Sequence, residues 1–252
     1  MATIKCMTHR PQLEFDLKMP VRWGGAREGA GRKAAPRARV WHRGRADFPY
    51  RHPGLVTIRV RNDVPSLRTV RLVREVEHSL RAIAKRADFR VVYYSLQHDH
   101  VHLLVESEGV AGLSNGMKSL AARLARAVNR VFGRRGAVLD GRYHHRALGT
   151  PREARAALAY VLLNARKHAG QRAPTARDSG FCVDPASSGR WFEGWAESSV
   201  PLADRPAVAR AQTWLLRVGW RRHGLIRGDE IPGVERCHRK ERARWCRLPT
   251  PT

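Results

Sequence analysis

Apolar and polar positions between residues 55 and 170 follow a strand pattern in some segments and a helix pattern in others. Residues 55–60 are rich in β-branched side chains and predict a first strand. A similar pattern returns at 89–96 and at 100–106, with a tight link between these two segments. A fourth strand is expected within 137–148. The middle of the chain is therefore predicted to contain four strands.

Three helical patterns are interleaved with these strands. The first follows residues 62–65, where a cap candidate precedes a proline, and continues to about Asp88. The second covers 112–132. Thr150 opens the third as part of a capping box with proline at the first helical position, and Gly170 ends it. The order β-α-β-β-α-β-α predicts an α+β fold in which helices back one sheet.

The segments on either side of this region differ from it in composition. Residues 1–52 are glycine-rich and basic and are predicted to form an arm that either follows a phosphate backbone or is a disordered basic linker. Residues 53–170 form the predicted central domain. Residues 171–252 are predicted to be a linker followed by a helical accessory region rich in tryptophan and arginine. The candidate DNA contacts of the arm are Arg27, Arg32 and Lys33.

The charge balance is extreme for a chain of 252 residues. There are 48 lysines and arginines against 22 acidic residues, giving a net charge of +26 with neutral histidine. Such a surface attracts polyanions, of which nucleic acid is the commonest and an anionic membrane the competitor. Without a long apolar run or a secretory signal, a bacterial cytoplasmic, nucleoid-associated protein with no membrane partner is expected. The four scattered cysteines predict reduced thiols.

Two histidines mark the start of the third predicted strand. Side chains two apart in a strand point to the same face, so His100 and His102 project side by side while Val101 points into the core. Two imidazoles on one face make half of a divalent metal site, although such a pair is also ordinary polar surface. His98 shares their parity but precedes the strand. The remaining ligand must come from another element.

The third predicted helix offers that ligand. At about 100° per residue, Tyr160 lies roughly 140° from the centre of the helix's apolar stripe, so it is not explained as a core residue. Asn164 follows one turn later on the same side, and an amide oxygen suits Mg²⁺ or Mn²⁺. Lys167, near the same face, either stabilises charge or is simply solvated.

Further basic side chains are candidate DNA contacts. On the second helix three arginines fall away from the apolar stripe, which predicts either a solvated face or a surface that faces phosphate. Arg142, within the fourth strand segment, joins this candidate set. The three helical arginines are Arg123, Arg126 and Arg130.

Two segments together resemble a known family. Residues 94–106, with His100-Val101-His102, resemble the His-hydrophobic-His signature of insertion-sequence-200-type transposases, which are single-tyrosine HUH nucleases. Residues 159–167 resemble the nucleophile helix of their branch called REP-associated tyrosine transposases. The resemblance extends over about 50–170 and implies a ferredoxin-like antiparallel sheet backed by helices.

The resemblance also implies an activity. It implies a transposase that cleaves and rejoins single-stranded, hairpin-bearing DNA ends through a 5′-phosphotyrosine on Tyr160. His100, His102 and Asn164 carry over as ligands of Mg²⁺ or Mn²⁺. The chain departs from the family pattern at His98-Asp99, where Pro-Asn is usual, and at Ala165, where proline is common. Family members occur as homodimers with exchanged helices and as monomers, so both states stay open.

Other functions use the same residues. A domesticated nucleic-acid-binding protein on this fold would keep the basic surface without transposition. A relaxase or replication initiator shares the cleavage step, but those proteins carry a helicase or replication partner domain, and this chain has no phosphate-loop motif. A hydrolase using only metal bound by His98, His100 and His102 lacks an obvious acidic base beside them.

Overall fold

Four antiparallel strands form one sheet in the order β2-β3-β1-β4. This computed structural model describes Pro49 and residues 52–165, 183–197 and 205–232. The strands and main helices alternate as βαββαβ followed by a third helix, which is the ferredoxin-like arrangement and confirms the predicted α+β fold class. Their bounds are β1 Gly54–Arg59, α1 Val70–Ile83, β2 Phe89–Leu96, β3 His100–Ser107, α2 Gly109–Val131, β4 His144–Ala147 and α3 Pro151–Leu162.

Short helices follow in the C-terminal part of the described chain. A 3₁₀ helix covers Ser188–Trp191, α4 covers Trp214–Arg217, and a second 3₁₀ helix covers Gly219–His223. Within the residues that the structure describes, no helix is both long enough and apolar enough to cross a membrane.

The first face of the sheet carries the larger apolar core. Alternate side chains of each strand point to this face, as period-two alternation requires, and α1 and α2 cover them. Val101 is among the buried residues here, so its predicted inward position is confirmed. The strand residues of this core include Val56, Ile58, Leu103 and Val105.

The second face of the sheet is covered by α3 and by the segments after residue 183. Leu104 of β3 and Val92 of β2 pack against Leu158 of α3 in a second buried cluster. The pairing of β2 with β3 shifts between Val91 and Tyr93, and this bulge turns both Val92 and Tyr93 toward the second face. The site described below lies at the edge of this face.

The segment around Ser188 covers the outer edge of β2. Leu96 N–H donates to the carbonyl of Ala186 at 2.8 Å, and Tyr94 N–H donates to Ser188 Oγ at 2.9 Å. Unpaired strand edges invite pairing with other chains, so this contact protects β2.

A buried carboxylate fixes the start of α4 against the end of β3. The Glu106 side chain accepts hydrogen bonds from Gln212 N–H at 2.8 Å, Thr213 N–H at 2.9 Å and Thr213 Oγ1 at 2.7 Å. Arg90 lies 3.7 Å from the same carboxylate and balances its charge. Hydrogen bonds to a buried charge are strong, so this contact holds the C-terminal segment on the second face.

The bounds of the first helix differ from those predicted. The first helix begins at Val70, because Thr69 caps it by accepting the Leu72 N–H at 3.3 Å; residues 62–65 form a turn. The helix ends at Ile83 rather than near Asp88.

The last predicted strand and helix also differ in extent. The fourth strand is only His144–Ala147, with a separate bridge between Leu139 and Val60. Gly141 between them has φ 69°, a left-handed conformation that interrupts the strand. The third helix is regular to Leu162, and Gly170, its predicted end, lies outside the described residues.

The predicted capping box on α3 is present and can be tested. Thr150 Oγ1 accepts the N–H of Glu153 at 3.2 Å, and Glu153 accepts the Gly149 N–H at 2.8 Å. We expect Thr150→Ala to lower the free energy of unfolding in urea by about 1 kcal/mol, because an N–H loses its acceptor. Thr150→Ser keeps the oxygen and should retain most of that stability. Equal stability of the alanine and serine variants would show that the cap is unimportant.

Candidate catalytic site

His100 and His102 lie on β3 with their side chains on the second face of the sheet, as predicted. Their cross-strand partners on β1 are Arg59 and Thr57 respectively. The two Nε2 atoms are 2.9 Å apart, and the ring centroids are 4.5 Å apart. Two nitrogen lone pairs repel at this distance, so a proton or a cation must lie between them.

The other ring nitrogen of each histidine has an outer partner. His102 Nδ1 is hydrogen-bonded to Thr57 Oγ1 at 3.0 Å, and His100 Nδ1–H donates to the Asp99 carboxylate at 2.7 Å. Partners of this kind orient imidazoles that bind metal ions through Nε2. These outer partners therefore direct both Nε2 atoms toward one point.

Asp99 is ionised beside this pair. Burial acts to raise the pKa of its carboxyl, but the hydrogen bond and charge of His100 outweigh burial, with a smaller contribution from Arg59, and hold this pKa below its usual range. Asp99 stands where the family pattern has asparagine, and the change places a negative charge behind His100.

Tyr160 reaches the histidine pair from α3. Its hydroxyl lies 3.2 Å from His102 Nε2, and the two ring centroids are 4.8 Å apart. The side chain is half-buried beside the second apolar cluster. Burial raises the pKa of the Tyr160 hydroxyl, and the positive charge of Arg59 acts in the opposite direction. Tyr160 is thus the phenol nearest to the two imidazoles among the described contacts.

Arg59 is a site residue that the sequence did not single out. It is exposed at the end of β1, faces the same side as Thr57, and lies opposite His100. Its charge acts on both Tyr160 and Asp99. An arginine at a polar strand position is ordinary in a sequence, and only the pairing register shows that it neighbours the histidines.

Asn164 lies just beyond the regular part of α3. It is fully buried, with 0% exposure, and neither its Oδ1 nor its Nδ2 finds a hydrogen-bond partner in the described part of the chain. Leu163 before it has φ −107° and ψ 10°, which are not α-helical values, so the regular helix is interrupted between Tyr160 and Asn164. A buried amide without a partner costs free energy, which a bound ligand would offset.

The donor groups fit a hard divalent cation. Two imidazoles converge with outer partners in place, and a buried amide four residues after Tyr160 lacks a partner. Such nitrogen and oxygen donors suit Mg²⁺ or Mn²⁺. Considering histidine, cysteine and acidic side chains alone, the described residues contain no cluster of three that could hold a metal. Among the described residues, a metal site at the histidine pair therefore depends on the Asn164 amide as a further donor.

The predicted DNA contacts lie in different places. Arg123, Arg126 and Arg130 are on α2, which covers the first face of the sheet, and Arg130 pairs with Glu75 of α1 at 2.8 Å. They are thus on the opposite side of the sheet from Tyr160. Arg142 is exposed just before β4. The candidates that fall outside the described residues are Arg27, Arg32, Lys33 and Lys167.

The site thus combines a β-strand histidine pair with a helical tyrosine on one face of a ferredoxin-like sheet. Residues 56–160, somewhat less than half of the chain, match the family model of IS200-like transposases. The predicted relationship to insertion-sequence-200-type transposases is confirmed for this segment, which ends at Tyr160. No curated protein matches the chain.

Several solved structures are similar to this one. A REP-associated tyrosine transposase bound to a REP hairpin shares 16% identity, with 69% of this chain and 99% of that chain covered and a TM-score of 0.45. A protein of Deinococcus radiodurans R1 described as a transposase shares 19% identity over 43% of this chain and 87% of its own, with a TM-score of 0.32. A bacterial tRNA(His) guanylyltransferase-like protein in complex with ATP shares 13% identity, with 53% of this chain and 61% of that chain covered and a TM-score of 0.34.

The partner of His100 can be tested through metal affinity. We expect Asp99→Asn to weaken Mn²⁺ binding by about 10-fold, because the neutral amide oxygen accepts the His100 N–H more weakly than a carboxylate does and no longer raises the basicity of its ring. Isothermal titration calorimetry measures this change. The control is Asp63→Asn, since Asp63 is an exposed carboxylate that pairs with Arg61 instead. Equal Mn²⁺ affinity of both variants and the unmodified protein would contradict the role of Asp99.

Proposed function

We propose that this protein is a transposase that cleaves and rejoins single-stranded DNA at hairpin-bearing ends, with Tyr160 as its nucleophile. The observation that carries the proposal is the approach of the Tyr160 hydroxyl to His102, 3.2 Å from a nitrogen that also faces His100. The family match of residues 56–160 supports a transposase, and the net charge of +26 supports a nucleic-acid substrate.

In the first step the oxygen of Tyr160 forms a bond to the scissile phosphorus. The bond between phosphorus and the 3′ oxygen breaks, and that oxygen takes up a proton while the tyrosine loses one. The products are a 5′-phosphotyrosine and a free 3′-hydroxyl. In the second step a 3′-hydroxyl of another end attacks the phosphotyrosine and restores the phenol, so no external energy source is needed for rejoining.

The positive groups near Tyr160 are needed because a tyrosine is a weak nucleophile at neutral pH. Its pKa is raised further by burial, so the phenolate must be stabilised at the moment of attack. Arg59 is placed to bind a phosphate oxygen at the mouth of the site, and its charge also favours the phenolate. Held by His100, His102 and Asn164, a Mg²⁺ or Mn²⁺ ion would supply Lewis acidity to the phosphate.

Thr57 and Asp99 position the two imidazoles rather than contact DNA. Thr57 fixes Nδ1 of His102, and Asp99 fixes Nδ1 of His100. These contacts set the ring orientations, so that the two Nε2 atoms face each other and that of His102 also faces Tyr160. The arginines of α2, on the other side of the sheet, suit DNA that continues around the protein and not the scissile phosphate.

The nucleophile can be tested by covalent attachment. Tyr160→Phe should abolish the denaturant-resistant adduct with a single-stranded hairpin in Mg²⁺ or Mn²⁺, because no oxygen remains to attack phosphorus. Gel electrophoresis under denaturing conditions measures it. Tyr93→Phe is the matched control, since Tyr93 lies on the same face but is half-buried against Phe192, and desolvation raises its pKa to about 12.

Two results would contradict the proposal. An adduct that persists in Tyr160→Phe would mean that another residue is the nucleophile. No adduct from the unmodified protein, over a panel of hairpins and both metals, would favour a nucleic-acid-binding protein without strand transfer.

The role of Arg59 predicts a loss of rate rather than of folding. Arg59→Ala should slow adduct formation about 100-fold at saturating DNA, because a preorganised positive group is lost beside the phosphate. Arg59→Lys should recover part of the rate. Arg61→Ala is the control, because Arg61 is an exposed arginine two residues away that pairs with Asp63 at 3.0 Å. Similar rates for Arg59→Ala and Arg61→Ala would exclude a special role for Arg59.

A further inference from the structure

One tryptophan of the C-terminal segment is exposed while its neighbours are buried. Trp214, at the start of α4, is 48% exposed, whereas Trp195 and Trp220 are 7% and 2% exposed. The buried pair pack with Phe192 on the second face of the sheet. Core packing therefore explains the buried tryptophans and leaves the exposure of Trp214 unexplained.

Three arginines follow Trp214 closely in the chain, and one of them lies against its ring. The guanidinium of Arg222 lies 4.9 Å from the centroid of the Trp214 ring, and Arg217 and Arg221 are exposed in the same short segment. None of these three arginines forms a salt bridge with a carboxylate of the described residues. The Trp214 platform, meaning Trp214 with Arg217, Arg221 and Arg222, is thus an exposed aromatic ring with uncompensated cations.

The platform is held rigidly in place. The carboxylate of Glu106 fixes the residues before Trp214, as described above. Gly219 packs so closely on the indole that an added Cβ would lie 2.6 Å from the ring. A preordered ring loses little conformational entropy on binding, which favours its use as a contact surface.

The platform lies on the same face of the sheet as Tyr160, at the far end of β3. The 3₁₀ helix Gly219–His223 contacts α3, and Arg155 of α3 donates to the carbonyl oxygens of Gly224 and Leu225. Glu106 is six residues from His100 along β3, roughly 20 Å in an extended strand. A strand of DNA held at Tyr160 could reach this distance along the face.

A cleft beside Trp214 indicates which side of a bound DNA strand would face the protein here. Its volume is about 290 Å³, and Arg90, Ser107 and Glu108 also line it. The exposed carboxylate of Glu108 repels phosphate but can accept hydrogen bonds from the amino groups of bases. A bound strand would therefore direct its bases to this side and its phosphates toward Arg217 and Arg222.

We propose that the Trp214 platform binds unpaired bases of the single-stranded DNA that flanks the cleavage site. The ring stacks on a base, and the arginines contact the adjacent phosphates, a combination that serves single strands of any sequence. The inference rests on the proposed function, because that function makes single-stranded DNA the substrate. It assigns a second DNA contact to a segment outside the matched residues 56–160.

Fluorescence anisotropy of the full chain with labelled DNA tests the proposal at one salt concentration. One DNA is a hairpin with a single-stranded thymidine extension, and the other is the same hairpin with a blunt stem. Trp214→Ala should weaken binding to the extended hairpin about 10-fold and leave the blunt hairpin unchanged. Trp214→Phe keeps an aromatic ring and should bind the extended hairpin nearly as well as the unmodified protein.

Two controls separate stacking and specific charge from general effects. Val218→Ala removes an exposed apolar side chain next to the platform and should have no effect. Arg222→Gln and Arg227→Gln each remove one positive charge, but Arg227 pairs with Asp229 at 2.7 Å. Only Arg222→Gln should weaken binding to the extension, at an unchanged melting temperature.

Unchanged affinity of Trp214→Ala for the extended hairpin would overturn the proposal, as would an equal loss for both DNAs. A change seen only in sedimentation would assign the platform to contacts between proteins and would also overturn it. The adduct assay gives a separate outcome. If the unmodified protein forms the adduct and Trp214→Ala binds normally, the platform fails alone. If no adduct forms but the extension-specific loss is seen, the proposed chemistry fails and the platform stands.

Discussion

The packing of α3 across the second face of the sheet is the interaction on which the site depends. Leu158 of α3 packs in one buried cluster with Leu104 and Val92 of the sheet. This contact sets the height of the helix over β3, and with it the 3.2 Å approach of Tyr160 to His102. The histidines lie on β3, which is paired with a strand on each side. The distance from Tyr160 to the histidines therefore depends on the position of α3.

The site lies where this packed layer meets solvent. His102 is 4% exposed and is held by Thr57, whereas Arg59 at the end of the neighbouring strand is open to solvent. Charges act over longer distances in such a half-buried place than in water. This is why one exposed arginine affects both Tyr160 and Asp99. The same boundary leaves Tyr160 partly accessible while the His102 imidazole is held in place.

The features that the sequence predicted are local ones. Strand alternation placed Val101 inside, and the capping box located the start of α3 at Thr150, because both depend on neighbouring residues. The start of α1 was misplaced, since a proline and a cap candidate at 62–65 resemble a helix start that Thr69 provides instead. Arg59 could not be found from periodicity, because its role depends on pairing with a strand about forty residues later.

The C-terminal segment was less predictable still. Its tryptophans looked alike in sequence, and only the packed structure separates Trp220, inside the second cluster, from Trp214 on the surface. Burial of Asn164 was equally invisible, because a helical face pattern cannot show which segment will cover that face. Long-range packing therefore decides which of several similar residues faces solvent.

The order in which the sheet is covered has a consequence for synthesis of the chain. Tyr94 and Glu106 bond to residues 94 and 107 positions later, at Ser188 and Thr213. During translation the strands and α3 leave the ribosome well before these partners, so the second face and the edge of β2 are uncovered for several seconds at ordinary elongation rates. Folding of the sheet and α3 is thus completed by segments made about a hundred residues later, and the nascent protein exposes an apolar face and an open strand until then.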